Sequence, residues 1–267
     1  MARPHLTLIP CHHPGVQAVV ADTSHRFGRH THDQFGLGLI ERGAQKSASG
    51  RGTVEACAGD LITVNPGEVH DGTPLTDGGR RWHMLYLDPA VVQALARDIA
   101  DGDGPVHAEF TQPALRDARL AQRFATLFRR LTAPPADDLG AEEAGLQLLA
   151  ALMLRRAPTA APLTSGLQAA RARIDDDPAA AHTLAALAQE AGLSRYALVR
   201  SFARATGLTP HAYLVQRRLQ CARRLIAQGL PLGEAALASG FADQSHLTRL
   251  FVRSYGLTPG TYARALR

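Results

Sequence analysis

Between Gln34 and Leu87 short apolar runs alternate with glycine turns: Phe35 to Ile40 before Gly43, Thr53 to Cys57 before Gly59, Leu61 to Val64 before Asn65-Pro66-Gly67, and Arg81 to Leu87. Short strands at close, regular spacing predict a small antiparallel barrel or sandwich. After Asp88-Pro89 the period changes. Leu120, Phe124, Leu127, Phe128 and Leu131, then Leu146, Leu149, Leu152 and Met153, recur at three- and four-residue spacing. This predicts amphipathic helices over Leu115 to Leu131 and Leu139 to Arg156, packed on the strands or forming a dimer interface. The Pro-, Ala- and Ser-rich run 157–166 reads as a linker, and everything beyond it reads as helix. The expected domains are therefore 1–156, with its trailing helices at about 115–156, and 167–267.

The helical part carries one pattern twice. Phe202-Ala203-Arg204-Ala205-Thr206-Gly207-Leu208-Thr209-Pro210, ending at Tyr213, recurs as Phe251-Val252-Arg253-Ser254-Tyr255-Gly256-Leu257-Thr258-Pro259, ending at Tyr262. Each copy follows an Ala-rich apolar segment, a turn centred on Gly192 or Gly240, and a short Arg-bearing amphipathic stretch. That order is how a helix-turn-helix reads in sequence, giving units at about 184–206 and 232–255. In the first unit Leu184, Leu187 and Ala188 form the apolar stripe of the supporting helix, Ser194 caps the next helix, and Leu198 and Phe202 face inward. Arg195, Tyr196, Val199 and Arg200 fall on the opposite face, placed to enter a major groove. In the second unit Asp243 caps, Leu247, Leu250 and Phe251 are expected to be buried, and Gln244, Ser245, Thr248 and Arg249 take the equivalent outward places. An arginine so placed pairs bidentately with guanine, worth about 1–3 kcal/mol of discrimination, or else contacts phosphate. Thr209-Pro210 and Thr258-Pro259 read as helix starts. Pro210 to Gln228 reads as a joining helix; if rigid, it sets the two recognition helices about 34 Å apart, one turn of DNA.

Charge agrees with this division. Residues 158–267 hold 13 Arg, no Lys and 6 acids, whereas residues 1–157 hold 16 basic and 18 acidic side chains, so the net +5 belongs to the C-terminal part. Arginine as the only cation there suits phosphate and base contact. Cys11, Cys57 and Cys221 are odd in number and widely spaced, which argues against a disulfide framework or a zinc knuckle and for free thiols in a reducing cytoplasm. The start of the chain lacks the features of a signal peptide, and no stretch approaches the ~20 apolar residues of a spanning helix.

The duplicated Gly-Leu-Thr-Pro and the run Ser239-Gly240-Phe241-Ala242-Asp243-Gln244-Ser245-His246-Leu247-Thr248-Arg249-Leu250-Phe251 resemble the DNA-binding domain of AraC/XylS-type transcriptional regulators, over about residues 165–266. The resemblance implies a bacterial factor that binds promoter DNA as a monomer or homodimer and commonly activates through RNA polymerase. It places the base-reading positions at Tyr196, Val199 and Arg200 and at Gln244, Ser245 and Arg249. Val199 departs from the more usual polar residue.

His30-Thr31-His32 and Gly59 to His70, ending in Pro-Gly-x-x-His, resemble the two cupin motifs, and cupin-like barrels are the usual sensor domains of such regulators. The resemblance implies an α+β chain of two domains, a cupin-like β-barrel with trailing helices and an all-α double helix-turn-helix. In metal-binding cupins the residues matching His30, His32 and His70 are ligands; the usual carboxylate is replaced here by Gly36, with only Asp33 or Glu41 nearby. His-x-His puts both side chains on one face of a strand, as ligation of a divalent metal requires, yet the same imidazoles suit hydrogen bonds to an organic ligand. No cofactor is required, and a metal-free pocket is the first expectation. Candidate pocket residues are Phe35, His70, Trp82, His83 and Tyr86, with Trp82, Met84 and Tyr86 on one face of their strand and His83, Leu85 and Leu87 on the other.

The expected function is a cytoplasmic, effector-responsive, DNA-binding transcriptional regulator with no enzymatic activity and no membrane association. The rival is a cupin metalloenzyme fused to a DNA module, against which the missing carboxylate argues. A third possibility is a barrel that serves dimerisation alone.

Overall fold

The computed structural model describes residues 5–100, 108–133, 138–153 and 164–266. The chain divides into two compact units, residues 1–26 with 31–158 and residues 27–30 with 159–267.

The strands are β1 (His5–Ile9), β2 (Val16–Thr23), β3 (Phe27–His30), β4 (Phe35–Arg42), β5 (Ala44–Ser49), β6 (Gly52–Cys57), β7 (Leu61–Val64), β8 (His70–Pro74), β9 (Arg80–Leu87) and the short β10 (Ala114–Leu115). They form a six-stranded sheet ordered β1-β2-β9-β4-β7-β10 and a four-stranded sheet ordered β3-β8-β5-β6. Of the barrel or sandwich expected from the strand pattern, the structure has a pair of sheets, with no strand shared between them among the described residues. β3 is hydrogen-bonded to β8 at the edge of the four-stranded sheet.

Side chains alternate along a strand, so register assigns them to faces. Phe35 lies opposite Leu87, Leu37 opposite Leu85, and Leu39 opposite His83. This face of the six-stranded sheet is covered by α1 (Pro89–Ala100), α2 (Ala118–Thr132) and α3 (Asp138–Met153). One apolar core joins Phe35, Leu37, Leu85 and Leu87 to Val92, Leu120, Phe124, Leu127, Phe128, Leu148, Leu149 and Leu152. Each such side chain contributes about 1.5–3 kcal/mol when fully buried. The apolar stripes of α2 and α3 are therefore buried against the sheet, while Leu146 and Met153 are only half-buried. The expected helix start at Leu115 is displaced because Ala114–Leu115 pairs with β7, and α2 begins where Asp117 accepts hydrogen bonds from the amides of Arg119 and Leu120.

The opposite face of the same sheet carries Gln17, Val19 and Ala21 from β2, Gly36, Gly38 and Ile40 from β4, and Arg80, Trp82, Met84 and Tyr86 from β9. It turns toward the four-stranded sheet: Arg80 donates to Gln45 Oε1 on β5 at 2.7 Å and to the Gly72 carbonyl on β8 at 3.3 Å.

The second unit contains α4 (Ser165–Asp176), α5 (Leu184–Glu190), α6 (Arg195–Thr206), α7 (Pro210–Ala227), α8 (Leu232–Ala238), α9 (Gln244–Tyr255) and α10 (Pro259–Ala265). α4 starts inside the expected linker, with Thr164 at its N-cap position; residues 157–163 of that linker lie outside the described residues. The duplicated motif has a structural cause at each residue. Gly207 and Gly256 end α6 and α9 in the left-handed region at φ 80° and 73°, where other side chains are strained. Thr209 and Thr258 then cap α7 and α10, each accepting from the amide three residues on, with Pro210 and Pro259 as first helical residues. Tyr213 and Tyr262 are buried against Phe202 and Phe251, at ring separations of 5.5 and 5.8 Å.

Candidate nucleic-acid interface and ligand face

The two helix-turn-helix units are α5–α6 and α8–α9. Ser194 accepts from the Ala197 amide and Asp243 from the His246 amide, so each recognition helix begins at a satisfied N-terminus. Leu198 and Phe202 in α6, and Leu247 and Phe251 in α9, are buried and dock the helices. Leu250, expected inside, is half-buried, and Leu184 of the supporting helix is exposed; in both cases the neighbouring stripe residues, Leu247 with Phe251 and Leu187 with Ala188, already fill the interior.

Arg195, Tyr196 and Arg200 are exposed with Val199 half-buried, and Gln244, Ser245 and Arg249 are exposed with Thr248 half-buried. All eight expected contact residues thus stand on outward faces, Arg200 and Arg249 at equivalent places. Two joints hold α7 to the elements before the first unit. The Arg218 guanidinium donates to the carbonyls of Pro178 at 2.7 Å and Ala180 at 3.0 Å, fixing the segment that leads into α5. The Tyr213 hydroxyl donates to Asp175 at 2.8 Å and accepts from Arg171 Nε at 3.0 Å, tying α7 to α4; burial pushes its pKa up to about 12.

In the strand-rich unit the five candidate pocket residues separate. Phe35 belongs to the helix-covered core, edge-to-face with Phe110. His83 shares that face: its ring stacks on Phe128 at 4.7 Å, and burial lowers its pKa. Trp82 and Tyr86 lie on the face turned toward the four-stranded sheet, and the ring of Tyr86 stands 4.9 Å from that of His32. His70 opens β8, with its ring 5.2 Å from that of His32. Its pKa is lowered to about 4 chiefly by burial, with the Arg51 charge acting the same way and a backbone hydrogen bond to Glu68 opposing both.

His30, His32 and His70 each offer a ring nitrogen within 4.8 Å of the others. Nδ1 of His30 lies 2.7 Å from the Gly28 carbonyl and Nδ1 of His70 lies 3.0 Å from the Glu68 carbonyl. A carbonyl can only accept, so Nδ1 carries the proton in each neutral ring and Nε2 keeps the lone pair. Gly36 brings no side chain to the cluster, and a Cβ there would stand 2.6 Å from Met84 Cε, the movable end of that side chain. Glu41 is engaged with Arg81 at 2.6 Å.

Sequence reasoning passed over Arg80. It alternates with Trp82, Met84 and Tyr86, which is the signal that places it on the face turned toward the four-stranded sheet. Its guanidinium is buried 4.8 Å from the Trp82 ring centroid, donates also to the His25 carbonyl, and has its pKa lowered to about 10 by burial.

Comparison with known proteins adds three findings. Residues 13–149 match the model of the AraC-like ligand binding domain, and residues 187–265 match a helix-turn-helix domain. Relatives include the uncharacterized HTH-type transcriptional regulator YbfI of Bacillus subtilis, 28% identical over 83% of this chain and 82% of its own. Another is the HTH-type transcriptional activator RhaS of Salmonella arizonae, 28% identical over 87% and 86%. Among solved structures, ToxT from Vibrio cholerae O395 aligns with TM-score 0.58 at 13% identity over 95% of this chain and 99% of its own. ToxT with an unsaturated fatty acid bound aligns with TM-score 0.56 at 12% identity over 98% and 97%. At that identity the likeness speaks for the fold alone.

Proposed function

This chain belongs to the AraC family of ligand-responsive, DNA-binding transcriptional regulators, and on that footing we propose that α6 and α9 read two successive major-groove segments of a promoter through Arg200 and Arg249. The observation that carries this is their equivalence: each recognition helix has an exposed arginine at the same place, six residues after its capping residue, within a unit rich in arginine and without lysine. The protein acts in the cytoplasm as a homodimer, signals to RNA polymerase and catalyses no reaction. No described helix is long and apolar enough to cross a membrane.

The effector is a small organic molecule held against Trp82, Met84 and Tyr86, with the imidazoles of His32 and His70 as polar contacts. Apolar walls with a few placed polar groups are the usual composition of such sites, and ToxT, which shares the fold, has been solved with an unsaturated fatty acid bound. An effector shifts the population between two arrangements only through different affinities for them. A compound that raises the melting temperature of the full chain is expected to change DNA affinity or box-spacing preference as well. A tightly binding compound that left affinity, spacing and promoter output unchanged would contradict the reading.

The histidine cluster favours a second component of the site. Three imidazoles, those of His30 and His70 with the lone pair on Nε2, and no carboxylate among them, suit a borderline divalent ion such as zinc or nickel, which would supply a Lewis-acidic anchor beside the effector. His30 and His70 would hold it through rings oriented by Gly28 and Glu68. Metal analysis after dialysis against zinc is expected to return a stoichiometric ion, with His70→Ala weakening it about tenfold or more. Metal-free protein after that treatment removes this component and leaves the DNA reading standing. Turnover of a small substrate by the loaded protein would instead make the chain an enzyme.

A further inference from the structure

The two recognition helices carry equivalent arginines but not equivalent neighbours. In α6 the Arg200 guanidinium lies 5.5 Å from the centroid of the Tyr196 ring, inside the distance at which a cation is attracted to an aromatic face. The residues are four apart, one helical turn, so helix geometry brings them together. Tyr196 is not a core residue: it is 72% exposed, and the docking of α6 rests on Leu198 and Phe202. At the matching place α9 has Ser245, which has no ring to offer Arg249.

An arginine side chain free to rotate loses conformational freedom when it is fixed against a base edge, and a group already held loses less. A ring beneath the guanidinium also restricts the directions in which its planar fork of donors can point. We propose that Tyr196 is a positioning residue for Arg200, holding its guanidinium for bidentate contact with one guanine. The first helix-turn-helix therefore discriminates that base more strictly than the second discriminates its own. This inference rests on the assignment of Arg200 to DNA contact.

The test is a double-mutant cycle on the full-length protein. Binding is measured for wild type, Tyr196→Ala, Arg200→Ala and the double variant, against a DNA site selected by the wild type and against copies with each base pair of the first box replaced. An exposed cation–π contact corresponds to about two- to fivefold in affinity. Tyr196→Ala is expected to lose that much preference at the same base pair where Arg200→Ala abolishes preference, with the double variant no worse than Arg200→Ala alone. Tyr196→Phe keeps the ring and should retain the wild-type profile. Additive losses, losses at different base pairs, or equal weakening on every sequence would overturn the proposal, because Tyr196 would then be acting on DNA by itself. A wild type that selects no site would overturn the DNA assignment first and this inference with it. All substituted side chains are solvent-facing, and unchanged melting temperatures separate the readout from misfolding.

Discussion

Replacing Gly240 with alanine is expected to destabilise the helical unit by about 2–5 kcal/mol and to abolish binding to a two-box DNA site. Two costs add. Gly240 sits at φ +81°, where an L side chain costs about 1–2 kcal/mol. A Cβ there would also stand 2.8 Å from Arg218 Nε, 2.9 Å from Ala179 Cα and 2.9 Å from Ala179 O. Arg218 can swing, but Ala179 is backbone, and forcing such atoms apart costs about 1–3 kcal/mol in the manner of an overpacked core. The position is functionally charged because it is the turn of the second helix-turn-helix, and it presses on the segment that Arg218 fixes before the first. Chemical denaturation of wild type and variant gives the energy. Electrophoretic titration with one-box and two-box duplexes gives the consequence. Wild-type stability and two-box affinity in the variant would show that this contact sets nothing.

The second large effect is expected at Phe251. Its side chain is fully buried, 4.6 Å from the ring of Tyr255 and 5.8 Å from that of Tyr262. Truncation to alanine removes its transfer energy and leaves a cavity beneath α9, at a combined cost of about 3–5 kcal/mol. That is a large part of the stability of an ordinary domain, so Phe251→Ala should lose cooperative unfolding of the helical unit and binding to specific and random DNA alike. Arg249→Ala separates the two properties. Its guanidinium is exposed, so stability should hold while specific binding falls by about 1–3 kcal/mol with preference relaxed at one base pair. If Arg249→Ala weakened specific and random DNA equally, Arg249 would belong to the phosphate contacts.

Much of the helical half was legible because its signals are local. Ser194, Asp243, Thr209-Pro210 and Thr258-Pro259 specify helix starts through hydrogen bonds to the next few amides, and Gly207 and Gly256 specify helix ends through backbone conformation. The strand half was legible only in part. Phe35 to Ile40 and Arg81 to Leu87 announce β4 and β9, but β2 and β8 pair with strands far along the chain, β9 and β5, and the polar run of β5 gives no apolar signal. Two sheets in place of a closed barrel is likewise a matter of pairing, which period alone does not carry. The candidate pocket shows the same limit. Alternation separates Trp82 and Tyr86 from His83, yet only the stacking of His83 on Phe128 tells which face α2 covers. Arg80 was missed because a charged residue at the end of an apolar run reads as the edge of a strand, whereas here its guanidinium is taken up by Gln45 and two backbone carbonyls.

On the proposed function, two equivalent arginines read two boxes. Selection of the purified protein on a randomised double-stranded DNA pool at near-physiological salt, repeated with Arg200→Ala and Arg249→Ala, tests it most directly. The expected result is enrichment of a site with two boxes about one helical turn apart, each arginine variant losing preference in a different box. Enrichment of no sequence by the wild type, or identical selected sites for all three proteins, would contradict it.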